Sequence, residues 1–306
     1  RYDILGVGNA IVDVIASCDD AFLTEHGIEK GAMTLIDEDR ARDLYSKMAP
    51  GREVSGGSAA NTLAGVASLG GRGAYVGKVA DDDLGEIFTH DLNAAGVDYA
   101  TLPLKLGPAT ARCLINVTPD AQRSMSTFLG ASVFFSEDDV DGEKIAAANI
   151  TFMEGYLFDR DDAKRAFIRA SELAKAAGRR TALTLSDTFC VDRHRSSFRH
   201  LVANHIDILM SNEDELKSLY ETTDFDEALS RARAETRVAA VTRSEKGAVI
   251  IRGDETVEVP ADTVTKVVDT TGAGDLFAAG EVISHFGARP ETSLEALTES
   301  KNARLK

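Results

Sequence analysis

Apolar runs ended by Gly, Asn or Asp punctuate this sequence, and between them lie longer stretches whose apolar positions recur every third or fourth residue. The first spacing predicts buried strands, the second helices with one covered face. "YDILGVGN", near the amino end, is a strand of the first kind. From Ile150 the two kinds alternate regularly. "ITFMEGYLF" (strand) leads to "DDAKRAFIRASELAKAAG", a helix with an acidic first turn and a Gly stop. "TALTLSD" (strand), "SSFRHLVAN" (helix) and "IDILMSN" (strand) follow, then the helices "EDELKSLY" and "FDEALSRARAE". "VAAVTRS" and "GAVIIRGDETVEVP" predict a strand and a hairpin-like pair. This alternation predicts an α/β fold with a central, mostly parallel sheet flanked by helices. Ligands of such sheets sit beyond the carboxyl ends of the strands, which singles out Asn9, Asp187, Asn212 and Thr242.

Two stretches break the alternation. Residues 16–54 and 97–128 hold short β-like runs, such as "AMTLID" and "ARCLINV", with "DEDRARDLYSKM" as their strong helical pattern. They flank the helical block "SAANTLAGVASLG". The expectation is a small, discontinuous β lid, with residues 1–15, 55–96 and 129–306 forming the α/β catalytic domain.

Charge narrows the function. Among 306 residues, Lys+Arg number 34 against Asp+Glu 50, a net charge of −16. Such a surface repels nucleic-acid backbones and anionic membranes, so neither is an expected partner, and an anionic ligand must be held by a local device. Cys18, Cys113 and Cys190 are far apart and form no metal-ligand spacing, which suits a reducing cytoplasm. No run of eighteen apolar residues and no signal peptide is present, and the missing initiating Met implies a natural chain that begins slightly earlier. No His pair has catalytic or metal-binding spacing.

The strongest chemical signal is "DTTGAGDLFAAG". A Gly-rich turn that opens a helix leaves backbone N–H groups without intrahelical partners and adds the positive end of the macrodipole, which together make an anion socket. Asp275 beside that socket would repel a phosphate unless it faces another group. If Gly272, Ala273 and Gly274 hold a phosphoryl group as charge builds on it, Asp275 is free to take the proton of the attacking hydroxyl. Other motifs read two ways. "SGGSAANTLAGVASLGG" is either a tightly packed helix capped by Ser58, or a place where Gly56 and Gly57 let backbone approach a polyhydroxyl ligand that Asn61 binds. In "GNAIVDV", Asn9 and Asp13 are ligand acceptors or turn residues. "SNEDE" is the acidic first turn of a surface helix, or a spacing in which Asn212 and Glu215 organise hydrated Mg²⁺. "GVGNAI" lacks the third Gly of a dinucleotide fingerprint, and no GxxxxGK[ST] occurs.

These residues resemble a known family, the ribokinase-like (PfkB) kinases of sugars and nucleosides. "DTTGAGD" is similar to their C-terminal signature and "GGSAANTLAGVASLGGRGAYVGKVADDDLG" to their N-terminal one. "GVGNAIVDV", "FLTEHGIEKGAMTLIDEDRARDLY", "PDAQRSM", "LTLSDTF" and "IDILMSNEDE" resemble the branch that acts on adenosine. The resemblance implies a ribokinase-like α/β fold with a β lid, and phosphoryl transfer from MgATP to a primary hydroxyl, the 5′-OH of adenosine first. A kinase of ribose, fructose, a keto-deoxy sugar acid or another nucleoside stays open, as does a non-catalytic nucleoside-binding protein. It implies Asp275 as base, an anion hole of Gly272, Ala273 and Gly274, and Arg123 reaching the phosphates. Asn9, Asp13, Gly57, Ser58 and Asn61 would hold the ribose, and Tyr156 would flank the base. Asn212, Thr242 and Gly247 would serve ATP, Glu215 would hold Mg²⁺ through water, and Asp269 and Thr271 a monovalent cation such as K⁺. A monomer or homodimer binding small molecules is expected. One departure stands out: "DLFAAG" passes directly into "EVISHFGARP", where the family pattern has further helical segments, so residues absent from this sequence are expected between Gly280 and Glu281.

Overall fold

The computed structural model describes residues 1–262 and 272–284. The chain forms β1 (Tyr2–Val7), β2 (Ile11–Ser17), α1 (Asp20–Glu25), β3 (Met33–Leu35), α2 (Glu38–Lys47), β4 (Arg52–Gly56) and α3 (Ser58–Ser68). Then come β5 (Gly73–Val76), α4 (Asp83–Ala94), β6 (Val97–Tyr99), β7 (Ala111–Val117) and β8 (Arg123–Phe128). The regular half follows: α5 (Gly142–Ala147), β9 (Ala148–Glu154), α6 (Asp161–Ala176), β10 (Arg180–Thr184), α7 (Thr188–His205), β11 (Ile208–Asn212), α8 (Glu213–Tyr220) and α9 (Phe225–Glu235). β12 (Val238–Thr242), β13 (Ala248–Arg252), β14 (Glu255–Val259) and α10 (Ala273–Ser284) complete it.

Nine strands make one sheet in the order β14-β13-β12-β11-β10-β9-β1-β5-β6. It is parallel from β12 to β6, whereas β13 and β14 pair antiparallel at one edge, as the hairpin pattern predicts. Strands buried on both faces explain the unbroken apolar runs: Leu5, Met153, Leu183 and Leu209 meet the helices of one face, and Ile4, Phe152, Ala182 and Ile208 face the other. Many helices begin at an Asp whose carboxylate accepts a backbone N–H: Asp19, Asp37, Asp82, Asp187 and Asp224 all do so.

A second sheet has the order β3-β8-β7-β2-β4. Val14, Leu44 and Leu114, joined by Phe22, Ile28, Ile36 and Met48, form its own small core on the side of α1 and α2. Its boundaries differ from those the sequence predicts. The first excursion already begins at Ile11, because β2 pairs with β7 along its whole length and with β4 from Ile11 to Ile15. The second begins at Ala111, because β6 adds to the edge of the large sheet beside β5. The reason is a βαβ crossover through α4 that buries Val97 and Tyr99 against Tyr75 and Phe88, the rings of Phe88 and Tyr99 lying 5.2 Å apart.

One correction concerns α3: Gly57, not Ser58, occupies its N-cap, without a side-chain cap, and the Ser58 hydroxyl is used elsewhere. In this 306-residue sequence helix α10 runs through Gly280 and Glu281. Ala278 and Ala279 before the junction and Val282 and Ile283 after it recur at helical spacing and are all buried, forming one apolar stripe. Gly65 of α3 lets that stripe approach closely, since a Cβ there would stand 3.0 Å from the Ala279 Cβ. Nor is the sheet face laid bare, because Ala182, Ile208 and Met210 remain buried.

Candidate active site

The large sheet reverses its strand order at β1, with β5 and β6 on one side and β9 to β12 on the other. A crevice opens at such a reversal, beyond the carboxyl ends of the strands. Asn9 follows β1 there, and Glu154 ends β9 beside it. Glu154 Oε1 accepts from the Asn9 backbone N–H (3.3 Å) and from Asn9 Nδ2 (3.2 Å), and Oε2 accepts from the Ala59 N–H (2.8 Å) in the first turn of α3. Asn9 Oδ1 is buried with no partner among the described residues, which leaves an acceptor waiting for a donor.

Two glycines let β4 and α3 come this close. A Cβ on Gly56 would lie 2.5 Å from the Asp13 carboxylate, and one on Gly57, whose φ is +91°, would lie 2.4 Å from the Asn9 carbonyl oxygen. The Gly-Gly pair is thus required by the close approach of β4 and α3 to Asp13 and Asn9. Asp13 projects from β2, where burial pushes its carboxyl up to about 6; Arg123 opposes the shift and Asp275 adds to it.

Asn9, Asp13, Gly57, Ser58 and Tyr156 line one cavity of about 280 Å³. Apolar and aromatic side chains line it as well: Met33, Leu35, Met125 and Leu129, with Tyr156 and Phe189. Tyr156 lies in the 3-10 turn Gly155–Asp159 and donates its hydroxyl to the Ser186 carbonyl (3.2 Å). Ser186 itself has φ +75°, a left-handed conformation that a side chain makes costly and that clusters at functional sites.

Asp275 stands behind Ser58, whose hydroxyl donates to its Oδ1 at 2.6 Å; Asn61 also hydrogen-bonds it. Asn61 thus reaches the carboxylate of α10 rather than the cavity lining. Burial raises the Asp275 pKa, and the bonds from Ser58 and Asn61 pull it back down. Gly272 takes φ +73° to start α10, and the N–H groups of Ala273, Gly274 and Asp275 fall in its first turn, where a helix supplies no acceptor. Removing a bond that favours the ionised form raises a carboxyl pKa. Ser58→Ala is therefore expected to move the acid limb of the kcat–pH profile to higher pH; an unmoved limb would contradict it.

Asn212 and Thr242 are register partners at the carboxyl ends of β11 and β12, on the same edge of the sheet but outside the cavity. Asn212 and Glu215 form a complete capping box: Asn212 Oδ1 accepts from the Glu215 N–H (2.8 Å), and Glu215 accepts from the Asn212 N–H (3.0 Å) and Nδ2 (2.6 Å). Yet Glu215 is buried, which pushes it up to about 7, and Asp187 and Asp214 add to the rise. Gly247 has a turn duty of its own: with φ +94° it closes the β12–β13 connection, and a Cβ would meet the Val259 carbonyl oxygen at 1.9 Å. Arg123 begins β8, near enough for its charge to act on Asp13. Asp269 and Thr271 lie outside the described residues.

Glu154 is absent from the residues that sequence reasoning selects, although it is fully buried, and burial pushes it up to about 7. Its signal was the acid closing the apolar run "ITFME". A carboxyl whose pKa is raised by folding holds its proton more tightly folded than unfolded, so its stabilising share is full below its unfolded pKa and is lost as pH climbs through the folded one. Glu154 and Glu215 rise from 4.5 to about 7 and Asp13 from 3.8 to about 6. The melting temperature of the ligand-free protein is therefore expected to fall between about pH 5 and about pH 8. A flat or rising profile in that window would contradict these burials.

The sequence matches the pfkB family carbohydrate kinase pattern over residues 32–289, which spans both Gly-rich segments that build this site. The chain belongs to that family. Among solved structures it is similar to the adenosine kinase of Sinorhizobium meliloti, 55% identical over 97% of this chain and 90% of that one, with a TM-score of 0.85. It is also similar to a probable sugar kinase protein of Rhizobium etli, 52% identical over 94% of this chain and 88% of that one, TM-score 0.86. Among curated proteins, Fructokinase-1 of Zea mays is 28% identical over 72% of this chain and 71% of its own length. As a kinase of this family the protein has the ribokinase-like fold and transfers a phosphoryl group to a hydroxyl.

Proposed function

We propose that this kinase phosphorylates the 5′-hydroxyl of adenosine, giving AMP, with MgATP as donor. The observation that carries the reading is the mixed lining of the cavity: Asn9, Asp13 and Ser58 are there for hydroxyl groups, and Tyr156, Phe189, Met33 and Leu35 for a flat ring. A bare sugar would leave those apolar side chains uncovered. Met33, Leu35 and Phe189 are 41%, 42% and 59% exposed, apolar surface that a ring would cover. The likeness to the Sinorhizobium meliloti adenosine kinase supports the same acceptor.

The chemistry needs little covalent work from the protein. Asp275 accepts the proton of the 5′-hydroxyl as its oxygen bonds to the γ-phosphorus and the bond from that phosphorus to the ADP oxygen breaks. The N–H groups opening α10 receive the charge that builds on the transferred group, and Arg123 neutralises part of it. The donor runs from α10 toward Asn212 and Thr242 along the sheet edge. Glu215 and Asp187 are hard oxygen donors close enough to repel each other, and they would hold a hydrated Mg²⁺. When bound, that ion offsets phosphate charge in a site already rich in carboxylates.

An acceptor panel assayed for ADP release tests the reading: adenosine, inosine, D-ribose, D-fructose and a keto-deoxy sugar acid, each with MgATP, with and without K⁺. Adenosine is expected to give the highest kcat/KM. A sugar that exceeds it would reassign the acceptor, and release independent of every acceptor would refute a kinase of this class.

A further inference from the structure

The cavity lining carries a charged pair that the phosphoryl transfer does not use. Asp159 and Arg193 both line it. Arg193 Nη2 stands 3.0 Å from Asp159 Oδ1, and His194 Nε2 shares the same oxygen at 2.7 Å. The Arg193 guanidinium also lies 4.4 Å from the centre of the Phe189 ring. Local structure fixes this cluster. Strained Ser186 turns the chain out of β10, Asp187 caps α7 through the Cys190 N–H (2.6 Å), and α7 kinks at His194, which leaves helical geometry with φ −123° and ψ 20°. The kink separates a short first segment, bearing Phe189 and Arg193, from the rest of α7, and Asp159 ties that segment down.

A partly exposed ion pair of this kind adds little to stability, and with Asp159 22% and Arg193 36% exposed it faces the ligand space. Both partners of Asp159 use Oδ1, which leaves Oδ2 to accept. Side by side, then, the cavity wall presents N–H donors and a carboxylate acceptor, above an aromatic face. The carboxylates of the lining are Asp13, Glu154, Asp159 and Asp187, and Arg193 is its sole cation among the described residues.

We propose that the Arg193–Asp159 pair is the specificity-determining element of the acceptor pocket, reading the polar edge of a planar base that carries an amino donor beside a ring-nitrogen acceptor. This rests on the nucleoside reading above. The carboxylate accepts from the amino group and the guanidinium donates to the ring nitrogen. A site built to hydrogen-bond a ligand group rejects the analogue lacking it, because its own polar groups are then left unpaired.

The test compares adenosine with purine riboside, which lacks the exocyclic amino group, in the wild type, Arg193→Met and Asp159→Ala, with kcat and KM measured for each and melting temperature as a folding control. In the wild type, adenosine is expected to have the lower KM by about tenfold. Asp159→Ala should bring that ratio close to one. Arg193→Met should raise the adenosine KM by about ten- to a hundredfold with kcat within about threefold, the mark of lost uniform binding. A purely structural role would weaken both nucleosides together and keep their ratio. The inference is overturned by a wild-type ratio of one, by a ratio preserved in a folded Asp159→Ala protein, or by an unchanged KM in Arg193→Met. If the wild type accepts no nucleoside, the nucleoside reading fails first and takes this inference with it.

Discussion

Asp275→Asn is expected to lower kcat by about two to four orders of magnitude while acceptor binding stays within about threefold of wild type. The amide matches the carboxylate in shape, so Ser58 keeps a partner at the oxygen it now reaches at 2.6 Å, and α10 keeps its start. What disappears is the proton acceptor. The prediction is sharpened by the company of this carboxylate: burial raises its pKa, and Ser58 and Asn61 hold it in the ionised form that a base requires. Single-turnover kinetics with a saturating acceptor separate the chemical step from product release. Turnover within about tenfold of wild type would remove Asp275 from the base role.

Glu154→Gln is expected to raise the acceptor KM by about ten- to a hundredfold and to lower stability by about 1–3 kcal/mol. All three partners of Glu154 are donors: the Asn9 N–H, Asn9 Nδ2 and the Ala59 N–H. A glutamine has one carbonyl oxygen for them, and its NH₂ must then face a donor. Either Asn9 loses its support in the cavity wall, or the first turn of α3 loosens where Ser58 meets Asp275. Both defects reach the acceptor before they reach ATP. Equal weakening of ATP and acceptor would instead mean a general loss of folding, and an unchanged KM would show that Glu154 is only a buried packing group.

The sequence made the repeated part of the fold legible. From Ile150 onward each strand is a short apolar run and each helix an amphipathic one, because a parallel sheet buried on both faces imposes that contrast directly. The small sheet was harder to bound. β6 is three residues long, and nothing in "VDY" states which sheet it joins; the packing of Val97 and Tyr99 decides that. The Gly-rich start of α10 before Asp275 was readable because a helix start is a feature of local backbone. Gly56 and Gly57 could be suspected, but only the approach of Asn9 and Asp13 shows why no side chain fits there. Glu154, Asp159 and Arg193 were missed for a related reason. Each owes its role to partners far away in sequence or on another element, and an acid after a strand or an Arg in a helix carries no local mark.

Transfer of label from γ-³²P-ATP to adenosine by the purified chain, with the product resolved from free phosphate, tests the central claim most directly. Radioactivity is predicted in AMP, in equal amount to the ADP formed, dependent on Mg²⁺ and with its appearance slowed by about a hundredfold or more in Asp275→Asn. Label that appears only as inorganic phosphate, or label in AMP that persists undiminished in Asp275→Asn, would contradict the account.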